Sequence, residues 1–153
     1  MKEQRRGRRI AMSADDLAGF LGEQRTCRVA TVGRDGAPKV DPLWFVWDGS
    51  ALWLNSIVRS QRWANLARDA RVAVVIDDGQ GYGELRGAEL TGRVEIVGEV
   101  PRGSGLSPEL AAPEQLYGAK YTGGAFVADG RHAWLRLVPE KIVSWDFRKL
   151  ANL

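Results

Sequence analysis

Four polar residues stand together where a predicted strand gives way to a predicted helix: Arg59, Ser60, Gln61 and Arg62. The first turn of a helix leaves backbone N–H groups unpaired and carries a partial positive charge, so it attracts anions. Two guanidinium groups and a hydroxyl add further donors, and a guanidinium matches two phosphate oxygens at once. The pattern therefore predicts a phosphate site at residues 59–62. The alternative is an exposed helix whose arginines keep it soluble and whose serine is an ordinary cap.

The preceding strand ends in two more hydrogen-bonding side chains, Asn55 and Ser56. Their position directly before the predicted helix places them to contact the same bound group. We therefore include both residues in the predicted site.

Other chemistry has few residues to draw on. The chain has one histidine, His132, and one cysteine, Cys27, and we predict that both are structural. It contains no glycine-rich nucleotide loop, nucleophile elbow or zinc-protease motif, and we predict no metal site. A single cysteine forms no internal disulfide, which fits a reducing, cytoplasmic location. If the protein is an enzyme, a bound cofactor must carry the reactive chemistry.

Composition indicates one soluble globular domain. The 153 residues are 44% hydrophobic and 27% charged, which is ordinary for such a domain. No apolar run approaches the roughly 20 residues that cross a bilayer, so we expect no membrane association.

The basic character of the chain is concentrated at its start. The first nine residues carry five of the 22 basic side chains and one of the 19 acids, which leaves 17 and 18 in the remainder. We predict that residues 1–10 form a flexible basic arm and that residues 11–153 form a single domain. An arm that binds nucleic acid is the alternative, but the body is nearly neutral and has no helix-turn-helix or RNA-binding motif.

Apolar periodicity predicts a mainly β chain with about three helices. Ser13 begins a helix with one apolar face, and α-helical patterns recur in "SQRWANLAR" and "PELAAPEQLYGAKY". Strand patterns occur in "CRVATV", "KVDPLWFVW", "ALWLNS", "RVAVVI", "ELRGAELTGRVEIV" and, twice, in "HAWLRLVPEKIVSWDF". The first three strands are joined by short turns with Asp-Gly steps, as in a meander. Pro42 has no N–H and predicts an edge or an irregularity in the second strand. Six or seven strands of this kind form a small barrel with helical caps.

Four stretches resemble the pyridoxamine 5′-phosphate oxidase-like, FMN-binding split β-barrel proteins, and especially their short actinobacterial branch that binds the deazaflavin F420. They are "RVATVGRDGAPKVDPLWFVWDGSALWLNS", "RSQRWANLARDARVAVVI", "ELRGAELTGRVEIV" and "KIVSWDFRKL". The similarity runs from about Leu17 to Leu150, and its strength is in the order and spacing of the motifs. It implies a split β-barrel, α+β but mainly β, with six or seven mostly antiparallel strands. It also implies a homodimer with cofactor sites at the interface.

The resemblance assigns roles to ten residues. It implies that Arg62 contacts the cofactor phosphate and that Arg59, Ser60 and Gln61 add further contacts. Asn55 and Ser56 then line the phosphate and ribityl chain. The strand that borders the ring contributes Lys39, Val40, Asp41 and Pro42.

The chain also departs from the family pattern. Ala70 replaces a turn proline, and the longer C-terminal region that helps the true pyridoxamine phosphate oxidases bind their substrate is missing. We therefore do not expect that particular activity.

The function implied is a flavin- or F420-dependent oxidoreductase that transfers hydride between the bound cofactor and an unsaturated small molecule. F420 is favoured over FMN, and the basic arm would suit the anionic tail of F420. No catalytic side chain is identified, and solvent would supply the proton. The alternative is a non-catalytic protein that binds or carries FMN, F420 or haem.

Overall fold

A computed structural model describes residues 1–152 and contains seven strands and three α-helices within that range. The helices are α1 (Ala14–Glu23), α2 (Gln61–Arg68) and α3 (Ala111–Tyr117). The strands are β1 (Thr26–Val32), β2 (Pro38–Trp47), β3 (Leu52–Ile57), β4 (Arg71–Asp78), β5 (Arg86–Val97), β6 (His132–Leu137) and β7 (Lys141–Asp146). Short 3-10 turns occur at Arg8–Ile10, Tyr82–Glu84, Pro108–Leu110 and Phe147–Asn152, and a π turn, Gly118–Thr122, follows α3.

Six of the strands close into an antiparallel barrel. The sheet order is β4-β1-β2-β3-β6-β5-β7, and an additional β4–β5 pairing closes the ring. β5 can pair with three strands because it is twice the length of β6 or β7. Residues 86–93 pair with β4, residues 86–91 pair with β7 on the other edge, and residues 94–97 pair with β6. The predicted mainly β split barrel with helical caps is therefore confirmed.

The barrel interior and its outer face each carry an apolar cluster. Alternation along the strands sends one set of side chains inward, including Val29, Phe45, Leu54 and Leu90. The other set faces outward on β2, β3 and β6, where α3 and the π turn cover it. That outer cluster comprises Val46, Ala51, Trp53, Val97, Leu110 and Trp134, with Tyr117, Tyr121 and Phe126 packed against it.

β2 has an unpaired edge where the cofactor ring is expected. It pairs with β1 from Pro38 to Trp44, but with β3 only from Phe45 to Trp47. Pro42 lies in the half that pairs on one side alone, which confirms its predicted edge position.

Close approach of an indole ring explains one of the two glycines inside β5. A Cβ on Gly87 would collide with the Trp145 ring, so only glycine admits Trp145 at this place. Trp145 pairs with Gly87 in the β5–β7 register and is half-buried there.

The N-terminal arm lies along the outer edge of β7. The Lys2 N–H donates to the Glu140 carbonyl at 2.7 Å. The side-chain amide of Gln4 accepts from the Ser144 N–H and donates to the Ser144 carbonyl, both at 3.0 Å. These contacts cover an edge that would otherwise be open to pairing. The flexibility of residues 1–10 stays a prediction.

Residues 1–152 contain neither a membrane-spanning helix nor a cluster of metal ligands. No helix there combines the length and apolar character needed to cross a membrane. No group of three or more His, Cys, Asp and Glu side chains is arranged to hold a metal ion.

Candidate functional site

Ser60 fixes the start of α2. Its Oγ accepts a hydrogen bond from the Trp63 N–H at 3.1 Å and donates to the Ile57 carbonyl at 2.7 Å. Both bonds join residues three apart, which is why the start of this helix could be predicted from the sequence. The cap satisfies Trp63 but leaves the N–H groups of Gln61 and Arg62 without intrahelical acceptors. The start of α2 therefore keeps the electrostatic character of an anion site, although the hydroxyl of Ser60 is already engaged.

Arg62 is buried and paired within the chain. It is 6% exposed, its Nε donates to Ser56 Oγ at 3.0 Å, and its Nη1 donates to Asp41 Oδ1 at 2.7 Å. Lys39 Nζ lies 3.3 Å from the other oxygen of Asp41. We call Lys39, Asp41, Ser56 and Arg62 the α2 cluster. It contains two cations and one carboxylate, so it retains a surplus of positive charge.

The first turn of α2 is also tied to β1. Gln61 Nε2 donates to Asn65 Oδ1 at 2.9 Å, and Asn65 Nδ2 donates to Thr31 Oγ1 at 3.0 Å. Asn65 is 1% exposed, so these bonds satisfy buried polar groups. Neither Asn65 nor Thr31 was predicted to support the site. Asn65 lies in "RSQRWANLARDARVAVVI", one of the four stretches that resemble the family.

The donor set at this mouth of the barrel fits a phosphate group. Arg59 is exposed and forms no ion pair with residues 1–152, and Lys39 is partly exposed. The free N–H groups of the first turn of α2 lie beside them. Arg62 supplies positive charge from a buried position. The Asp41 carboxylate is an anion of the chain itself, and it already accepts a hydrogen bond from Arg62.

Strand alternation divides the predicted site residues between two faces. Lys39, Asp41 and Ser56 face Arg62 in the α2 cluster. Val40 and Pro42 are exposed on the other face of β2, and Asn55 lines a cavity there. The structure therefore places the side chains of the ten predicted residues on two faces, because neighbouring residues in a strand point in opposite directions.

The cavity beside Asn55, which we call the outer pocket, has a volume of about 400 Å³. Its lining residues are Thr26, Pro42, Leu43, Trp44, Asn55, Tyr117 and His132. Trp44 stacks on Tyr121 with ring centroids 4.4 Å apart, and Tyr117 tilts against both rings. The pocket thus has aromatic walls and a few polar groups, as small-molecule sites commonly do.

Asn55 has an unmet hydrogen-bonding need. The residue is 6% exposed, and its Oδ1 is buried with no hydrogen-bond partner within residues 1–152. Such an acceptor costs about 1–3 kcal/mol when it is left unpaired.

His132 is held by a carboxylate at the rim of the outer pocket. Its Nδ1 lies 2.5 Å from Asp129 Oδ2, while the N–H groups of Arg131 and His132 donate to Asp129 Oδ1. Burial opposes ionisation of Asp129, but these hydrogen bonds outweigh it and lower the pKa of that carboxyl. Burial also raises the pKa of Tyr117, which therefore remains a neutral phenol at pH 7. Sequence reasoning missed Trp44, Tyr117 and His132 as neighbours, because three separate segments bring them together.

Cys27 is a buried core residue, as predicted. Burial raises the pKa of its thiol to about 12, although Arg62 opposes that shift. The thiol is therefore protonated and unreactive at neutral pH.

A larger cavity, of about 950 Å³, lies at a different place in the barrel. It sits at the β2–β3 hairpin end of the barrel, whereas α2 follows the other end of β3. The N-terminal arm, α1, Trp47 and Val138 contribute to its walls. Its buried polar side chain, Ser144, accepts a bond from the Met12 N–H, and no buried side-chain N or O atom that lines it within residues 1–152 lacks a partner. Geometry thus favours the α2 cluster and the outer pocket over the larger space.

Comparisons with known proteins agree with this architecture. The family model described as pyridoxamine 5′-phosphate oxidase matches residues 13–146. The structure of a conserved hypothetical protein of Mycobacterium tuberculosis is 34% identical, with a TM-score of 0.80, and the match covers 98% of this chain and 93% of that one. An F420 reductase is 27% identical over 82% of this chain and 94% of its own, with a TM-score of 0.61.

A haem storage protein of Vibrio cholerae shares the fold at 16% identity. Its TM-score is 0.68, and the match covers 86% of this chain and 93% of that one. A search of curated proteins finds no match.

Proposed function

The chain belongs to the pyridoxamine 5′-phosphate oxidase family, and we propose that it is a flavin- or deazaflavin (F420)-dependent oxidoreductase. In this proposal hydride passes between the bound cofactor and an unsaturated small molecule. The observation that carries it is the surplus positive charge of the α2 cluster, with the exposed Arg59 three residues before Arg62 and without an ion pair to residues 1–152. The similarity to an F420 reductase over most of both chains supports it further.

Residues of the α2 cluster and its surroundings would hold the cofactor phosphate. Arg59, Lys39 and the N–H of Gln61 offer open donors, and Arg62 adds positive charge from behind. The unpaired edge of β2, from Lys39 to Pro42, leaves backbone groups available to the ring. The cofactor, when bound, supplies the hydride chemistry.

We favour F420 over FMN, with the F420 reductase as support. Within one subunit, the position of the basic arm does not support the preference for F420. It lies on β7, and the barrel order β2-β1-β4-β5 separates β7 from the α2 cluster. An interaction between the arm and an anionic cofactor tail would therefore have to involve a second subunit.

A homodimer is part of the proposal. Val40 is 64% exposed and Trp44 42% exposed on the outer face of β2, beside the proposed ring site. Exposed apolar side chains in a row are typical of surfaces that another chain covers.

A cytoplasmic location is also part of the proposal, since the single buried Cys27 fits a reducing compartment.

The proposal can be tested by titrating FMN and F420 into an Arg59→Gln variant. Removing a charge-assisted contact should weaken binding by about 1.5–3 kcal/mol, roughly tenfold to a hundredfold. Arg93→Gln is the matched control, since Arg93 is also exposed and forms no ion pair with residues 1–152. Riboflavin, which lacks the phosphate, should bind both variants alike. Equal FMN and F420 affinities in the two variants would place the phosphate elsewhere.

A carrier without turnover is the second candidate. Its support is that a haem storage protein shares the fold over most of both chains. Steady oxidation of reduced cofactor by a panel of enones and quinones would establish an enzyme. Tight binding with no oxidation of the cofactor would establish a carrier.

A further inference from the structure

Asn55 has a role that the phosphate site does not explain. Its side chain lies on the face of β3 opposite Ser56, in the register pair with Trp134 of β6. The residue is more than nine-tenths buried and lines the outer pocket, and its Oδ1 has no partner within residues 1–152. The open space beside this amide is the outer pocket, so a molecule bound there is placed to pair with it.

The walls of the outer pocket select a flat molecule. Trp44 and Tyr117 line the pocket with their ring centroids 6.2 Å apart, and Tyr121 stacks on Trp44 from outside the lining with an angle of 6° between the rings. Pro42 adds a further apolar surface. Aromatic walls around about 400 Å³ suit a small planar ring system, at the lower end of the usual size of ligand sites.

The amide of Asn55 determines which hydrogen-bonding groups the bound ring must present along one edge. A primary amide presents an acceptor oxygen and a donor nitrogen side by side. Its complement is a ring in which an N–H stands next to a C=O. We propose that the outer pocket binds a flat lactam or imide ring, whose N–H donates to Asn55 Oδ1 and whose C=O accepts from Nδ2. His132 lines the same pocket, and because Asp129 engages its Nδ1, Nε2 is the ring nitrogen left for the ligand.

Two sources supply this chemistry. One is the imide edge of the flavin or deazaflavin ring, in which case the inference rests on the proposed function. The other is a separate lactam or imide substrate. Both sources require the same pairing with Asn55. The first test therefore uses a small lactam that is not the cofactor and carries no phosphate.

Isatin, a flat lactam without phosphate, is a suitable probe, with N-methylisatin as its chemical control. N-methylation removes the N–H donor and should weaken calorimetric binding to the native protein roughly tenfold. In an Asn55→Leu variant, which keeps the volume but removes the amide, the two compounds should bind equally. A native protein that binds neither compound, or that shows the same N-methylation effect with and without Asn55, would overturn the proposal.

Thr26→Val is the matched control variant. It changes another polar residue of the pocket and should preserve the difference between the two compounds. If Asn55→Leu does not fold, Asn55→Asp serves instead, since an ionised carboxylate lacks the donor that the ligand C=O needs. Isatin affinity in that variant should fall, and an unchanged value would count against the pairing.

Saturating the protein with FMN or F420 separates the two sources. Competition between isatin and the cofactor would show that the cofactor ring uses Asn55. Unchanged isatin binding in the presence of the cofactor would show a separate substrate site. Because isatin has no phosphate, Arg59→Gln should not alter its affinity. A wrong phosphate site and a wrong outer pocket would therefore give different results.

Discussion

Two arginines are buried to the same degree, yet their surroundings differ. Arg102 is 7% exposed and donates to both oxygens of Glu114, at 2.8 and 3.0 Å. It also donates to Glu99 at 2.6 Å and to the Gly105 carbonyl at 2.7 Å. Arg62, at 6%, has one carboxylate, Asp41, which is shared with Lys39.

The difference separates a structural arginine from a candidate binding arginine. Two carboxylates surround one cation at Arg102, so the chain itself compensates the buried charge in full. At Arg62, two cations share one carboxylate, so one positive charge remains uncompensated by the chain. Burial alone does not distinguish the two roles, but the count of opposing charges does.

A third cation extends the series. Lys120 Nζ donates to the carbonyls of Leu21, at 2.9 Å, and Phe45, at 3.4 Å. It forms no ion pair with residues 1–152. Burial therefore lowers the pKa of this lysine to about 8. The three cations thus have two, one and no carboxylates.

Arg102→Met should have the largest effect on stability. It leaves Glu114 half-buried without its counter-charge, which should lower the free energy of unfolding by about 3–5 kcal/mol. Urea unfolding measures this. Arg71→Met is the control, because Arg71 and its partner Asp69 form an exposed pair worth less than about 1 kcal/mol. Equal losses in the two variants would remove the distinction between these pairs.

Changes in the α2 cluster should affect binding as well as stability. Arg62→Met should cost about 1.5–3 kcal/mol of stability, since Lys39 still compensates Asp41. Asp41→Asn should instead raise the affinity for FMN roughly tenfold, because it removes the internal anion that competes for Arg62. Weaker FMN binding in Asp41→Asn would mean that Asp41 positions Arg62 rather than competes with the ligand.

Local features of the fold were predictable because their causes are local. The cap at Ser60 depends on atoms within three residues. The turn after β2 forms because Asp48 accepts from the N–H groups of Ser50 and Ala51. Alternating apolar residues gave the strands in the same way. The bounds of β2 and α2 therefore needed no tertiary information.

The partners of the site residues were not predictable from spacing. Asp41 and Arg62 are 21 residues apart, and only the packing of α2 against the sheet brings them together. The outer pocket needs β2, β3, α3 and β6 at once. Alternation did imply that Asn55 and Ser56 face opposite ways. It did not reveal which face carries which ligand, because that depends on the packing of α2 and α3.

Lys120 predicts a pH effect that tests the third member of the series. Because its pKa is lower in the folded protein than in the unfolded chain, the unfolded chain binds more protons between pH 8 and about pH 10.5. Stability should therefore rise with pH across this window relative to Lys120→Met. Urea unfolding of both proteins at pH 7 and pH 9.5 measures the difference. A constant difference would show that Lys120 has no unusual pKa. The side chain is only half-buried, so we expect a smaller effect than at Arg102.

Ser60 offers the smallest change in stability and a sharp separation of its two possible roles. Ser60→Ala removes the cap of α2 and should cost about 1 kcal/mol of stability. Ser60→Asp should restore the cap, since aspartate caps helices well, yet it places a negative charge where we propose the phosphate. Ser13 caps α1 through the same contact, with its Oγ accepting from the Asp16 N–H at 3.0 Å. Ser13→Asp is thus a matched control that should leave FMN and F420 affinity unchanged. Loss of affinity in Ser60→Asp alone would tie the anion to α2, whereas unchanged affinity in both variants would make Ser60 only a cap and place the phosphate away from this helix.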